Sequence, residues 1–232
     1  MRCVDKGVNL VPFAKYGDAM PYLLLRLGSY CSYCEMEISN EPDVEHVQPK
    51  TKGGALNLLE NFLLGCKRCN KIKGNKNPDR TSHLWPDEDN TFIAYEYYNE
   101  IFVRPSANLT GTPIEPYAKN TLELTGINRL PKKVLKPSKN IRKDQRWQKR
   151  RTAWGEADLA LKRWRRNPSI ELCEQIASSA AAIGFYSIWN QFFSGPGEIA
   201  VLNEIKNRFP NTYEPIEAPI GGYTLRTLTS RY

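Results

Sequence analysis

Three pieces of one stretch decide the fold: Cys31-Ser32-Tyr33-Cys34, then Asp43-Val44-Glu45-His46-Val47-Gln48-Pro49, then Asn61-Phe62-Leu63-Leu64-Gly65-Cys66-Lys67-Arg68-Cys69-Asn70. Two Cys-x-x-Cys pairs enclose the thirty-one residues 35–65. Each such turn presents two sulfurs from one knuckle, and four thiolates suit a tetrahedral Zn²⁺. Cys31, Cys34, Cys66 and Cys69 are therefore expected to hold one structural zinc, closed because four sulfurs leave no open position. Metal binding on the order of 10 kcal/mol or more would stabilise a segment too small for a good apolar core. The alternatives are chance pairing in a core, or redox couples.

Working outward, Asp43–Val47 alternates and carries β-branched residues, which predicts a short strand. Gly53-Gly54 makes a loop, Asn61–Leu64 a second strand ending at Gly65-Cys66, and Asn70 to about Gly74 a short helix. The order is strand, strand, helix, with a cysteine pair at each end. On a strand Glu45 and His46 point to opposite sides, so an irregular strand end is expected near Pro49. Upstream, Pro21–Leu27 reads as a helix stopped by Gly28. Downstream, Thr91–Val103 reads as a hairpin turning at Asn99-Glu100. The five prolines of 105–137 indicate a connecting region with at most one short helix, near Asn120–Leu124. The remainder is mainly helical: one helix capped by Ser138 to about Arg166, a second from Ser169 to about Phe193, a third to about Phe209. Gly221–Leu225 reads as a strand or an irregular tail. The expected class is α+β, a zinc-stapled core with a mainly α-helical C-terminal region, divided as 1–104, 105–137 and 138–232.

The 232 residues are 41% hydrophobic and 25% charged, ordinary for a globular protein. No apolar run approaches the roughly 20 residues needed to cross a bilayer, and the N-terminus lacks the apolar core of a secretory signal, so a cytoplasmic location is expected. Cys3 and Cys173 read as buried free thiols. The net charge of +8 is uneven: residues 129–168 hold fifteen Lys/Arg against three acids, a net +12 that leaves −4 on the rest. Such a segment suits a polyanion, and Arg146, Lys149, Arg150 and Arg151 are candidate phosphate contacts. A solvated face or an acidic partner protein is the alternative. Trp147, Trp154 and Leu161 recur every seven residues and predict a buried stripe.

The ensemble Glu45-His46-Val47-Gln48-Pro49, Gly53-Gly54, Asn61 and Cys66-x-x-Cys69-Asn70-x-x-Lys73-Gly74 resembles the HNH endonuclease family, of ββα-metal fold, over roughly Cys31 to Asn77. The resemblance implies that His46 is the general base and that Glu45 and Asn70 ligate a catalytic Mg²⁺ or Mn²⁺. It also implies that Asn61 orients the base loop and that Lys73 contacts phosphate. The chain departs from the family pattern in having Glu where Asp is common, and Asn where His is frequent. The block Asp79–Thr91, with Tyr30–Glu35, is similar to the PtuB-like HNH component of Septu- and retron-type anti-phage defence, which implies an ABC- or SMC-like ATPase partner. His83, in that block, is read as packing its loop, with a second metal ligand or phosphate contact as the alternative. The function expected is hydrolysis of phosphodiester bonds in nucleic acid, DNA before RNA. A non-catalytic zinc-finger or ATPase-recruiting subunit is the other reading.

Overall fold

A computed structural model describes residues 1–76, 78, 80–130 and 144–212. Helix α1 (Ala19–Leu27) ends at Gly28, whose φ of 68° needs no Cβ. Strands β1 (Pro42–His46) and β2 (Phe62–Cys66) pair antiparallel, and α2 (Lys67–Lys73) follows directly. The register sets Asp43 opposite Gly65 and His46 opposite Phe62. The fold continues with the short α3 (Thr91–Ala94) and the hairpin β3 (Tyr95–Tyr98) and β4 (Phe102–Pro105). The helices α4 (Glu115–Thr125), α5 (Arg146–Arg166), α6 (Ile170–Ile183), α7 (Tyr186–Phe193) and α8 (Ile199–Asn207) complete it. This is the α+β class expected, with the strand-strand-helix order between the cysteine pairs. One apolar core joins the cysteine knuckles to the C-terminal helices, through residues such as Tyr33, Trp85, Phe185, Trp189 and Phe209. No helix of the described residues is long and apolar enough to cross a membrane.

Several expectations change. The first four residues of the predicted hairpin form α3, capped by the Asn90 side chain, and the turn uses positive φ at both Asn99 and Glu100. The short helix expected near Asn120–Leu124 is longer, eleven residues from 115 to 125, and Thr121 hydrogen-bonds both the N–H and the carbonyl of Leu84 and anchors α4 to the downstream block. The Ser169 cap is as read, but its helix stops at Ile183. There Gly184 meets the first knuckle: a Cβ on it would lie 2.5 Å from the Glu35 carbonyl oxygen. Phe185 then donates its N–H to that same oxygen, and α7 restarts. On α5 the buried line is Arg146, Arg150, Ala153 and Ala157, while Trp154 and Leu161 flank it half-buried. Cys3 is buried and Cys173 half-buried. Ser138, Arg142 and the Gly221–Leu225 tail lie outside the described residues.

Glu35 is the bolt between knuckle and helices. It sits at φ 63°, and its carboxylate accepts from Ser187 N–H (2.7 Å), Ser187 Oγ (2.8 Å) and Tyr97 Oη (2.9 Å). Burial opposes its ionisation, but the Met1 ammonium 3.2 Å away and these hydrogen bonds outweigh burial and lower its pKa. Replacing Glu35 by Ala strands several buried donors, so we expect a loss of about 3 kcal/mol or more. Urea denaturation followed by circular dichroism should show a lower midpoint with an unchanged slope.

Candidate active site

The four cysteine sulfurs lie within 4.8 Å of one another and all are buried. Cys34 Sγ and Cys66 Sγ are 3.8 Å apart, too far for a disulfide and close to the edge of a tetrahedron with bonds of about 2.3 Å. Local structure makes each knuckle. Glu35 N–H closes the first turn onto the Cys31 carbonyl, and the Cys66 sulfur accepts the Cys69 N–H as the cap of α2. Contact with Cys31 and the neighbouring sulfurs pushes the Cys34 thiol up, and burial does the same to Cys69. Four thiolates therefore need a cation in their midst, and the donor set is that of a closed zinc site.

Arg146 reaches this knot from α5. Its Nη1 donates to Cys69 Sγ at 3.1 Å and to the Thr125 carbonyl, its Nη2 to the Gly126 carbonyl, and Asp144 braces it from behind. Burial opposes its charge, but Asp144 and the sulfurs of Cys69 and Cys34 hold it protonated. Arg150 donates twice to the Ile101 carbonyl. Both arginines are almost fully buried, at 3% and 1% exposure. The assignment of Arg146 and Arg150 as phosphate contacts is thus corrected: their guanidiniums are spent inside the protein. Lys149 and Arg151 are exposed, and Arg151 pairs with Glu100.

Glu45 and Asn70 come together around Gly65. A Cβ on Gly65 would lie 3.1 Å from Glu45 Cβ and 3.9 Å from Asn70 Cβ, so glycine gives the two side chains their room. Asp43, two residues before Glu45 on the same face, accepts the Asn70 Nδ2 at 3.3 Å. The period of the strand carried the signal for Asp43, which the motif reading missed. Tyr33, between the first two cysteines, was also missed. Its hydroxyl donates to Glu45 Oε2 at 2.7 Å.

Lys73 is only 2% exposed, and its ammonium lies 2.7 Å from both Glu45 Oε1 and the His46 carbonyl. It clamps the end of β1 to α2 rather than facing a phosphate, which corrects its expected role.

His46 keeps different company: the rings of Phe62 (4.9 Å) and Tyr16 (5.2 Å), with Nε2 3.1 Å from the Leu56 carbonyl. A carbonyl can only accept, so Nε2 carries the proton and Nδ1 keeps the lone pair. Burial lowers the pKa of His46, and the cations of Lys50 and Lys73 act in the same direction. Asn61 pins the loop that follows. Its Oδ1 accepts from Gln48 N–H, and its Nδ2 donates to the carbonyls of Gln48 and Ala55. Gly54 passes so close that a Cβ would lie 2.0 Å from the Gln48 carbonyl oxygen. His83 stacks obliquely near Trp85, 5.9 Å between rings, with Ser82 Oγ against its Nδ1, an arrangement of loop packing.

Residues 31–76 match the HNH endonuclease family. A search of curated proteins finds no match. The HNH region begins at the first zinc knuckle and ends just beyond α2, and it contains every cysteine, strand and polar residue just described around Gly65. It supports a nuclease-type function.

Two outcomes test the metal knot. Protein purified without added metal should contain about one zinc per chain by elemental analysis. Replacing Arg146 by Met should speed zinc transfer to a chromogenic chelator several-fold, and Lys at the same position should restore it poorly, because an ammonium cannot reproduce the guanidinium fork.

Proposed function

We propose that the protein is a metal-dependent endonuclease that cuts phosphodiester bonds of nucleic acid, DNA in the first place, with His46 as general base. The observation that carries this reading is the state of His46: the Leu56 carbonyl fixes the tautomer, burial favours the neutral ring, and Nδ1 is left to accept a proton from water. Asn61 holds the base loop in place as a positioning residue.

The oxygen donors around Gly65 fit a hard cation such as Mg²⁺ or Mn²⁺: Glu45 and Asn70 would hold it, with Asp43 beside them. When bound, the cation supplies charge neutralisation at the scissile phosphate and the leaving oxygen. Tyr33 fixes the orientation of the Glu45 carboxylate through Oε2, and Lys73 pairs with Oε1. The similarity of the flanking blocks to PtuB-like proteins supports, more narrowly, a role in anti-phage defence beside an ABC- or SMC-like ATPase. Stable co-purification with such an ATPase is its test.

Replacing His46 by Ala should reduce metal-dependent nicking of supercoiled plasmid by about a hundredfold or more. Unchanged nicking would leave the region a non-catalytic zinc-finger module. The pH dependence has a definite sign. The base works unprotonated, and its pKa lies below the ordinary histidine value of 6.5. Activity should therefore be flat through neutrality and fall only on the acid side of 6.5, read as the acid limb of initial nicking rate against pH. The same depressed pKa makes a small stability contribution that is present above the unfolded-state pKa and lost as pH falls through the folded one.

A further inference from the structure

Lys73, Arg146 and Arg150 are buried, and of the expected phosphate contacts only Lys149 and Arg151, on α5, are exposed, so a cation beside the base has to be sought elsewhere. The surface beside His46 offers one. Lys50 stands exposed at the start of a 3-10 turn, Lys50–Lys52, four residues beyond His46. The turn is held rigidly: Asn61 pins Gln48, the Gln48 side chain donates to the Lys52 carbonyl, and Gly53 leaves the turn at φ 80°. A separate turn near the N-terminus brings up Tyr16, a residue 44% exposed whose ring meets the His46 ring edge-on at 5.2 Å. Lys50 Nζ lies 3.6 Å from the centre of the Tyr16 ring. Base-loop cation, half-exposed aromatic ring and imidazole therefore form one contiguous ridge. Among the described residues no carboxylate lies within 4.0 Å of Lys50 Nζ, so its charge is directed by the ring and left for an external anion.

We propose that Lys50 and Tyr16 form the strand-holding contact of this site, Lys50 pairing with a phosphate of DNA next to the scissile one and Tyr16 aiming the ammonium while offering its ring to the neighbouring sugar or base. This rests on the nuclease reading for its position beside the base, but binding can be read separately from cutting. A lysine over an aromatic ring keeps its charge and loses much of its freedom, so less entropy is lost when a phosphate arrives. Aromatic faces beside a backbone-tracking cation are how single strands are held without sequence preference.

The test measures binding without turnover. In the His46→Gln protein, fluorescence anisotropy of a labelled duplex and a labelled single strand is followed from about 50 to 200 mM KCl. Lys50→Ala should weaken binding about three- to tenfold and lower the slope of log K against log salt by about 0.9 on duplex, or about 0.7 on a single strand. Tyr16→Phe should bind as the parent. Tyr16→Ala should weaken binding about tenfold, and the double variant should fall short of the product of the two single effects, because the residues act as a pair. Thermal melting of each variant checks folding; both positions are exposed and should leave it unchanged. An unaltered affinity and slope for Lys50→Ala would overturn the proposal, and so would an absence of measurable binding by the parent. If wild-type protein binds in this Lys50-dependent way yet never nicks plasmid, the nuclease reading fails and the contact stands. If it nicks while Lys50→Ala binds unchanged, the contact fails and the nuclease reading stands.

Discussion

Four thiolates around one divalent zinc leave two net negative charges inside protein, and the arrangement of this chain follows from where those charges are balanced. Arg146 supplies a guanidinium directly to Cys69 Sγ at 3.1 Å. Arg150, one turn along α5, has its pKa lowered by burial, against the opposing influence of Tyr97 and Cys34, and its guanidinium is held by the Ile101 carbonyl. Neither cation could be left in that interior alone, and neither could four thiolates. The knot thus draws α5, some eighty residues further along the chain, onto the HNH region. The knuckle itself is then fixed from the other side, where Glu35 takes α7 through Ser187 and the hairpin through Tyr97. Zinc binding, helix docking and hairpin placement are coupled energetically because they share these few buried polar groups.

That coupling changes the meaning of the basic segment. A net charge of +12 over forty residues reads as a surface for polyanions, and at Lys149 and Arg151 it is a surface. Arg146 and Arg150 recur with the four-residue spacing of a buried helix face; Arg146 is spent on sulfur and Arg150 on the Ile101 carbonyl. Charge counts along a sequence do not separate these uses. What separates them is whether an anion waits inside, and here the cysteines of a segment some eighty residues earlier provide it.

The parts of the fold legible in the sequence were those set by neighbouring residues. The cysteine spacing, the alternation of β1, the run into β2, the Ser169 cap and the glycine stop of α1 are local, and each appears where local chemistry puts it. The break at Gly184 was illegible because it answers to Glu35, about 150 residues away, and nothing in Ile183-Gly184-Phe185 alone demands that carbonyl. The burial of Lys73 was illegible for a related reason. A lysine at the C-terminal end of a short helix has every local reason to be solvated, and only the junction of β1 and α2 supplies a carboxylate and a carbonyl to receive it. Within the candidate site, Glu45, Asn61 and Asn70 stood out by pattern, whereas Tyr33 and Asp43 entered only once the knuckle and the strand register placed them.

Lys73 would also set the terms on which the proposed site accepts a cation. Its ammonium spans the side chain of Glu45 and the backbone of His46, so the two residues whose side chains leave β1 in opposite directions are tied through one group at the strand end. On the proposed reading, Glu45 would share Oε1 between Lys73 and a divalent cation, and Lys73 would retain its bond to the His46 carbonyl. That sharing therefore need not move the strand end that carries the imidazole, which Asn61 and the Leu56 carbonyl hold independently. If Glu45 and His46 have the proposed roles, the carboxylate would change partner while the imidazole kept its tautomer and orientation.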